Sequence, residues 1–550
     1  MVRPVKPIVK TSSTSSDWKW RMWRICWLLA AGWIFLKGAI VRFAAPGWPL
    51  IAPDSFIYLG PSINGGHYDI GPRMFVYPMF CRILLQVTHD WRSIAIAQHL
   101  LGLLGPALLL LAWVSLGARI WSSRLARAAH EAIGLALPLL LALSAPYVAY
   151  EQQVLLESFN AFLQCCLGAL LCLLWASPLP AKRMRIACCT AGFGVFMYYG
   201  NPRWGAAAIM VLAIAVLAVI NRRESIRQWV GVAWPVFAAF VTVYAGLGLI
   251  QFRLVPHDGW NDSFTAKVLL WMHADLAVNE FRRDLAAPMP PDHAELLRKI
   301  IPKIEKEIVG RYVSHWNTLT FNANALLYVP DNPDGDLVIA FHNDPEGYKR
   351  FCLHYYFAIL LHQPKAYFKE VWFLLHYYYA GPQDDGAFRE FAQAVTLYFP
   401  ASASLLRVLA QSAAPAPRAL LEAAAKAMDR PVNPPVVFWP PPWLDALVRL
   451  IHVWFMPISL AGVAGASAVL LWPRLQVRRE LAVLAWLCLG SAGVLFVQVL
   501  TLALVTVTEG RYDDALRTLA VFSLICASTM IASLAIALVA SLKSVRTPTA

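Results

Sequence analysis

The 550 residues are 59% hydrophobic and only 15% charged, with a mean hydropathy of +0.53. Soluble globular chains carry about 25% charged residues, so an ordinary water-soluble enzyme is excluded. Lys+Arg 47 against Asp+Glu 33 gives a net charge of +14, and the ten cysteines sit mostly inside apolar runs rather than in the loops of a disulfide framework.

A bilayer-crossing helix needs about 20 mostly apolar residues. Ten stretches qualify in chain order: 24–44, 94–118, 131–150, 154–176, 185–200, 204–221, 230–252, 447–471, 481–507 and 515–541. The first is longer than the apolar core of a cleaved signal peptide and contains Lys37. Short loops rich in Lys and Arg stay on the cytoplasmic side. Such loops recur at every second connection, with Arg119, Arg124 and Arg127, then Lys182, Arg183 and Arg185, then Arg222, Arg223 and Arg227, then Arg474, Arg478 and Arg479. Both termini are basic as well. The alternation predicts an all-α polytopic protein of about ten transmembrane helices with cytoplasmic ends.

Three modules follow. Residues 1–252 hold about seven spans and a first outer loop, 45–93. Residues 253–446 form a mainly helical extracytoplasmic domain, and 447–550 a three-span module. The outer domain has a net charge of −3 and the remainder +17, so the basic excess orients helices and a nucleic-acid partner is not expected. Within the domain, 292–313 has the pattern of a solvated amphipathic helix. The aromatic-rich 351–380 is broken near Pro364 and reads as interfacial helices, with two short spans as the other reading. Ala-rich 404–428 is expected to be helical, and the proline-rich 431–442 to be a stiff connector.

Polar residues collect on the outer rim. The first outer loop carries Asp54-Ser55-Phe56-Ile57-Tyr58, then His67-Tyr68-Asp69, then Arg73 with Tyr77-Pro78. The third and fourth spans meet at Tyr150-Glu151-Gln152-Gln153, followed by Leu156-Glu157-Ser158. The fifth meets the sixth at Asn201-Pro202-Arg203-Trp204, and the ninth meets the tenth at Glu509-Gly510-Arg511-Tyr512. A carboxylate such as Glu157, a few residues into a span, must be paired or face a watery cavity.

This order of motifs on one side resembles the GT-C glycosyltransferases, integral membrane enzymes that take a sugar from a polyprenyl phosphate. It is most similar to the bacterial group related to protein O-mannosyltransferases and aminoarabinose transferases. The likeness rests on Asp54 early in the first loop, Arg73 with Tyr77-Pro78, Leu156-Glu157-Ser158, Arg203, Glu509-Gly510-Arg511-Tyr512, and His362-Gln363-Pro364-Lys365, where a Gln is inserted into a juxtamembrane His-Pro segment. It implies a polyprenyl-phosphate-linked sugar as donor, a lipid, glycan or protein acceptor, membrane lipids as surroundings, and residence in a bacterial inner membrane. Many relatives carry an Asp-Glu pair in the first loop, whereas Ser55 follows Asp54. That removes the second carboxylate of a tight metal site, so no metal ligand or cofactor is assigned and a divalent cation is left open.

The chemistry fits. A phosphate is already a weakly basic leaving group, so one carboxylate suffices as base or orienting group, and arginines meet the growing phosphate charge. The expected catalytic residues are Asp54 and Glu157. Asp69, Arg73, Glu151, Arg203, Glu509, Arg511 and Tyr512 are expected to bind substrate. Each has a plainer reading. Asp54 and Glu151 suit helix starts or turns, Asp69 suits a turn, Glu157 a structural pair, and Arg203 and Arg511 snorkelling to the interface. Lys37 and Arg42 read as snorkelling residues, His67 as a solvated loop residue, and Asp331-Asn332-Pro333-Asp334-Gly335-Asp336 as a polar turn rather than a calcium loop. The competing functions are a glycolipid transporter and a scaffold of an envelope-glycan complex. Transporters favour charges at mid-membrane and two matching halves, and neither is visible in this sequence.

Overall fold

The computed structural model describes residues 14–43, 47–51, 55–64, 73–143, 145–220, 226–255, 259–288, 292–309, 323–328, 331–342, 344–380, 401–411, 413, 415–429, 442–472, 475, 478–505 and 510–546. The chain is an all-α polytopic membrane protein. Among the described residues no strand forms, only an isolated bridge between Leu50 and Gln153. Nine described helices are long and apolar enough to cross a membrane.

The membrane part begins with α1 (Thr14–Phe43), then α2 (Ser55–Asn64) and α3 (Val76–Thr88) in the first outer loop, then α4 (Ser93–Ile120). It continues with α5 (Arg124–Gly134), α6 (Ala136–Ala142), α7 (Ala145–Glu151), α8 (Leu156–Ala176), α9 (Pro180–Gly200), α10 (Gly205–Val219) and α11 (Ile226–Leu254). The expected third span, 131–150, differs from this. The helix starts earlier, at Arg124, and breaks twice. Pro138 cannot donate to the carbonyl of Gly134, where α5 gives way to α6. α6 ends at Ala142 and α7 starts at Ala145, with Pro146 in its first turn, where its missing N–H costs nothing.

The expected fifth span, 185–200, is part of α9, which is not among the nine. Lys182, Arg183 and Arg185 occupy its first turns and shorten its apolar stretch. Short links at 177–179 and 201–204 nonetheless reverse the chain on either side of it. α9 packs against α8, α10 and α11, which makes it an inner member of the bundle.

The segment between α11 and the last three long helices, expected from the sequence to be the outer domain, holds α12 (Gly259–Trp271), α13 (Ala274–Leu285), α14 (Ala294–Val309), α15 (Ala323–Tyr328), α16 (Pro333–Ala340), α17 (Pro345–His362) and α18 (Pro364–Ala380) around a second apolar core. α14 fulfils the amphipathic pattern over Ala294–Val309, with 310–313 outside the described residues, and the 351–380 stretch breaks at Gln363, ahead of Pro364. α19 (401–411) and α20 (Pro415–Met428) follow and join the core of the membrane bundle. Most of the proline-rich 431–442 lies outside the described residues. The chain closes with α21 (Pro442–Leu471), α22 (Arg479–Val505) and α23 (Gly510–Arg546).

Interior packing is direct. α4 and α8 run against each other, Trp175 of α8 stacks on Trp486 of α22 at 5.6 Å, and Gln164 of α8 accepts a hydrogen bond from the Leu519 amide of α23 at 3.0 Å. At Gly462 a Cβ would run into the backbone of Ala527 on α23, so only glycine permits that helix contact. Gly462→Leu is therefore expected to cost roughly 1–3 kcal/mol through overpacking, read as a lowered Tm of the detergent-solubilised protein, whereas the same change at Gly231, which has open space around it, leaves Tm unchanged.

Candidate functional site

The outer rim is assembled around the start of α3. Tyr77, fully buried, donates its hydroxyl to Gln98 of α4 at 2.7 Å. Gln98 in turn donates to the carbonyls of Glu151 (2.8 Å) and Gln153 (2.7 Å). Tyr77 also meets Tyr58 of α2 edge-on at 5.0 Å. Two residues earlier, Phe75 packs its ring 6.3 Å from that of Tyr199 at the end of α9. This single turn therefore touches α2, α4 and α9 at once.

The first outer loop is pinned to the same place. Leu50 donates to the Gln152 carbonyl (2.7 Å) and accepts from the Val154 amide (3.0 Å). Ser55 donates its hydroxyl to the Val154 carbonyl at 2.8 Å. The Ile51 amide donates to the hydroxyl of Ser402 on α19 at 2.9 Å. Both flanks of Asp54 are thus fastened to the elbow between α7 and α8, next to the helix start that bears Glu157.

The expected site residues fall into three groups. Asp54, Asp69 and Glu509 lie outside the described residues, as does His67. Arg511 and Tyr512 belong to the first turn of α23, and their side chains lie outside the described residues. Arg73, Glu157 and Arg203 are brought to the rim. The Arg73 guanidinium lies 5.2 Å from the centroid of the Tyr58 ring, four residues beyond Asp54. Glu157 stands in the first turn of α8, whose Phe159 ring lies 5.9 Å from that of Tyr77. Arg203 sits in a 3-10 turn, Pro202–Trp204, capped by Asn201, whose side-chain oxygen accepts from the Arg203 amide at 3.1 Å. Since Phe75 follows Arg73 by two residues and Tyr199 precedes Arg203 by four, the Phe75–Tyr199 contact draws the two arginine-bearing turns together.

Glu151 has a different setting. Its carboxylate is 2% exposed and forms a two-pronged ion pair with Arg42, Nε to Oε2 and Nη2 to Oε1 both at 2.7 Å. His99 Nδ1 lies 2.9 Å from Oε2, and His99 Nε2 lies 3.1 Å from the Gln152 side-chain oxygen. Arg42 also donates to the Ala142 carbonyl, at the open end of α6. The snorkelling read for Arg42 is thus overturned. It is 1% exposed because a carboxylate and two carbonyls inside the bundle offer a guanidinium more than the interface does. Gln98 and His99 were the residues that sequence reasoning passed over, and Arg42 was given the wrong partner. Their one signal was an ionisable or amide group within the end turns of an apolar span.

Comparison with protein-family models, with curated proteins and with solved structures finds no match to this chain.

The outer domain carries its own polar clusters. The Asp331–Asp336 stretch is a polar turn that starts α16, and its carboxylates are taken up by cations. Lys267 pairs with Asp334 at 2.6 Å, and Lys299 and Lys303 pair with Asp336 at 2.7 and 2.6 Å. The His362-Gln363-Pro364 corner is clamped to α13: His362 Nδ1 lies 2.7 Å from Glu280 Oε2, and Gln363 donates to Glu280 Oε1 (2.7 Å) and the Leu276 carbonyl (3.0 Å). The inserted Gln thus supplies the hinge between α17 and α18 with its fastening.

Where α13 meets α18, His273 Nδ1 lies 2.6 Å from Glu370 Oε2, with Asp275 beside it. Burial lowers the His273 pKa to about 4, so the imidazole is neutral and its Nδ1–H donates to Glu370. Burial first, and then the neighbouring Glu370 carboxylate, pushes Asp275 up to about 7, while burial pushes Glu370 up to about 7. The two acids therefore hold one proton between them near neutrality.

Two outcomes follow from these pairs. Arg42→Met alone should cost roughly 3–5 kcal/mol by stranding the Glu151 charge, and Arg42→Met with Glu151→Leu should recover part of it, measured as unfolding of the purified protein in detergent. The folded acids titrate above their unfolded values of about 4. Their contribution to stability is therefore full below that range and lost as pH rises through about 7. His273, with its pKa lowered, contributes in the opposite sense, above about 6.5, and loses that contribution as pH falls towards 4. Raising pH from 6 to 8.5 should accordingly lower the Tm of the wild type by more than that of Asp275→Asn.

Proposed function

We propose that the protein is a polyprenyl-phosphate-sugar-dependent glycosyltransferase of the GT-C kind, working on the outer face of a bacterial plasma membrane. The reading is supported chiefly by one observation: Arg73, Glu157 and Arg203, distant in sequence, are drawn to a single turn at the start of α3, beside the elbow that fastens both flanks of Asp54. In this reading the basic connections and both termini are cytoplasmic, and α12 to α20 lie outside.

The reaction would run as a single displacement. The acceptor hydroxyl attacks the anomeric carbon, the bond from that carbon to the phosphate oxygen breaks, and the hydroxyl proton passes to Asp54. The polyprenyl phosphate leaves with the bonding electrons, and the anomeric centre inverts. Arg203 and Arg511 face the departing phosphate, whose negative charge their guanidinium forks match. Arg73, Asp69, Glu157, Glu509 and Tyr512 orient sugar and acceptor hydroxyls. Glu151 has another duty in this scheme. With its carboxylate engaged by Arg42 and His99, it keeps the elbow in place and takes no part in substrate contact.

The test is transfer of a labelled sugar from synthetic polyprenyl phosphates to envelope acceptors by the reconstituted protein. Asp54→Asn should reduce the rate by about 10²–10⁴-fold and Arg203→Ala by about 10²–10³-fold. Transfer at the wild-type rate in Asp54→Asn would remove the base assignment. Movement of the intact glycolipid across the bilayer, without transfer, would instead establish the transporter.

A further inference from the structure

α18 and the end of α17 have two unlike faces. One is buried in the outer domain, through Tyr355, Tyr356 and Ile359 of α17 and Tyr367, Val371 and Leu374 of α18. Neither α17 nor α18 is among the nine described helices long and apolar enough to span. The other face presents Leu361 (76% exposed), Phe368 (63%) and Trp372 (68%), with Phe357 and Phe373 alongside. Phe357 and Leu361 stand four apart on α17, and Phe368 and Trp372 four apart on α18, an apolar stripe on each helix. Water-soluble surfaces rarely leave a stripe of this size uncovered.

The fold shows what lies beside it. α18 packs against α21 and α22, and the Tyr379 ring stacks on Phe455 of α21 at 6.3 Å. Phe455 lies just inside the membrane span Val453–Leu471. The exposed apolar side chains of α21 do not stop there. They continue outward through Leu450 to Trp443, twelve residues or about 18 Å of helix. Trp372 is seven residues back from Tyr379, about 10 Å. Even an upright α18 therefore keeps Trp372 beside the stretch of α21 that exposes Trp443, Leu450, Val453 and Trp454. Lys365 and Lys369 stand exposed beside the stripe, one to two turns further from Tyr379, where ammonium groups reach headgroup phosphates.

We propose that this face of α18 is immersed in the phospholipid leaflet on the side of the outer domain. The Phe368, Trp372 and Phe373 rings lie among the upper acyl chains, and Lys365 and Lys369 meet the phosphates. The lipid surface is thus continuous from α21 onto α18, and the outer domain is held to the bilayer itself as well as to the bundle. Such partial immersion also explains the aromatic composition, because Trp and Phe favour the lipid–water boundary.

The experiment is spin-label accessibility in the full chain, reconstituted in nanodiscs of phosphatidylcholine and phosphatidylglycerol. Cys26→Ser and Cys189→Ser remove the two exposed thiols. Single labels are placed through Trp372→Cys, Phe368→Cys and, as a solvated reference on the same outer domain, Arg350→Cys. The labels at 372 and 368 should collide with oxygen several-fold more than with a water-soluble nickel chelate, and the label at 350 should show the reverse. Nickel collisions at both 372 and 368 equal to those at 350 would overturn the proposal. So would labels shielded from both relaxants in discs carrying two chains, the signature of a second copy seated on the stripe.

Discussion

The outer rim depends on one buried ion pair, Arg42 with Glu151. The third span is broken into α5, α6 and α7, which leaves a free carbonyl at Ala142 and an acid at the end of α7. A guanidinium carried in on α1 answers both, with two prongs on the carboxylate and a third donor on the carbonyl. Inside the bundle such a pair cannot be dismantled from one side without leaving a bare charge. The position of α7 is fixed by that constraint, and with it the elbow on which the first outer loop is hung.

From the elbow, order spreads by backbone contacts rather than by more charges. Leu50 bridges across 152–154 and Ser55 caps the Val154 carbonyl, while Tyr77 and Gln98 tie the start of α3 to the carbonyls of Glu151 and Gln153. Buried polar groups are costly unless every lone pair is met, and this network meets them with amides, a phenol and an imidazole. Arg73 stands beside this network, its guanidinium over the Tyr58 ring.

The outer domain is joined to the bundle by a helix with one dry face. α18 turns Tyr367, Val371 and Leu374 inward and sets His273, Asp275 and Glu370 at its contact with α13. Its other face is aromatic. Pro364 forces a corner between α17 and α18, and the Gln363 side chain holds that corner to α13. One proline and one amide thus decide which side of the aromatic run is core and which is left outward.

The sequence by itself determined the polytopic helical architecture, because a bilayer demands long uninterrupted apolar runs and leaves little else to weigh. It also determined the amphipathic α14 and the break at Pro364. The 131–150 span was misplaced because its register depends on where the helix breaks, ahead of Pro138 and again after Ala142, and apolar composition is blind to that. Only the tertiary structure decided the fates of Arg42 and Glu151. An arginine near a span's end has the same one-dimensional signature whether its guanidinium reaches out to lipid headgroups or inward to a carboxylate 109 residues away. That choice belongs to packing, since the inward course becomes favourable only when folding brings the acid, the imidazole and an unmet carbonyl within reach.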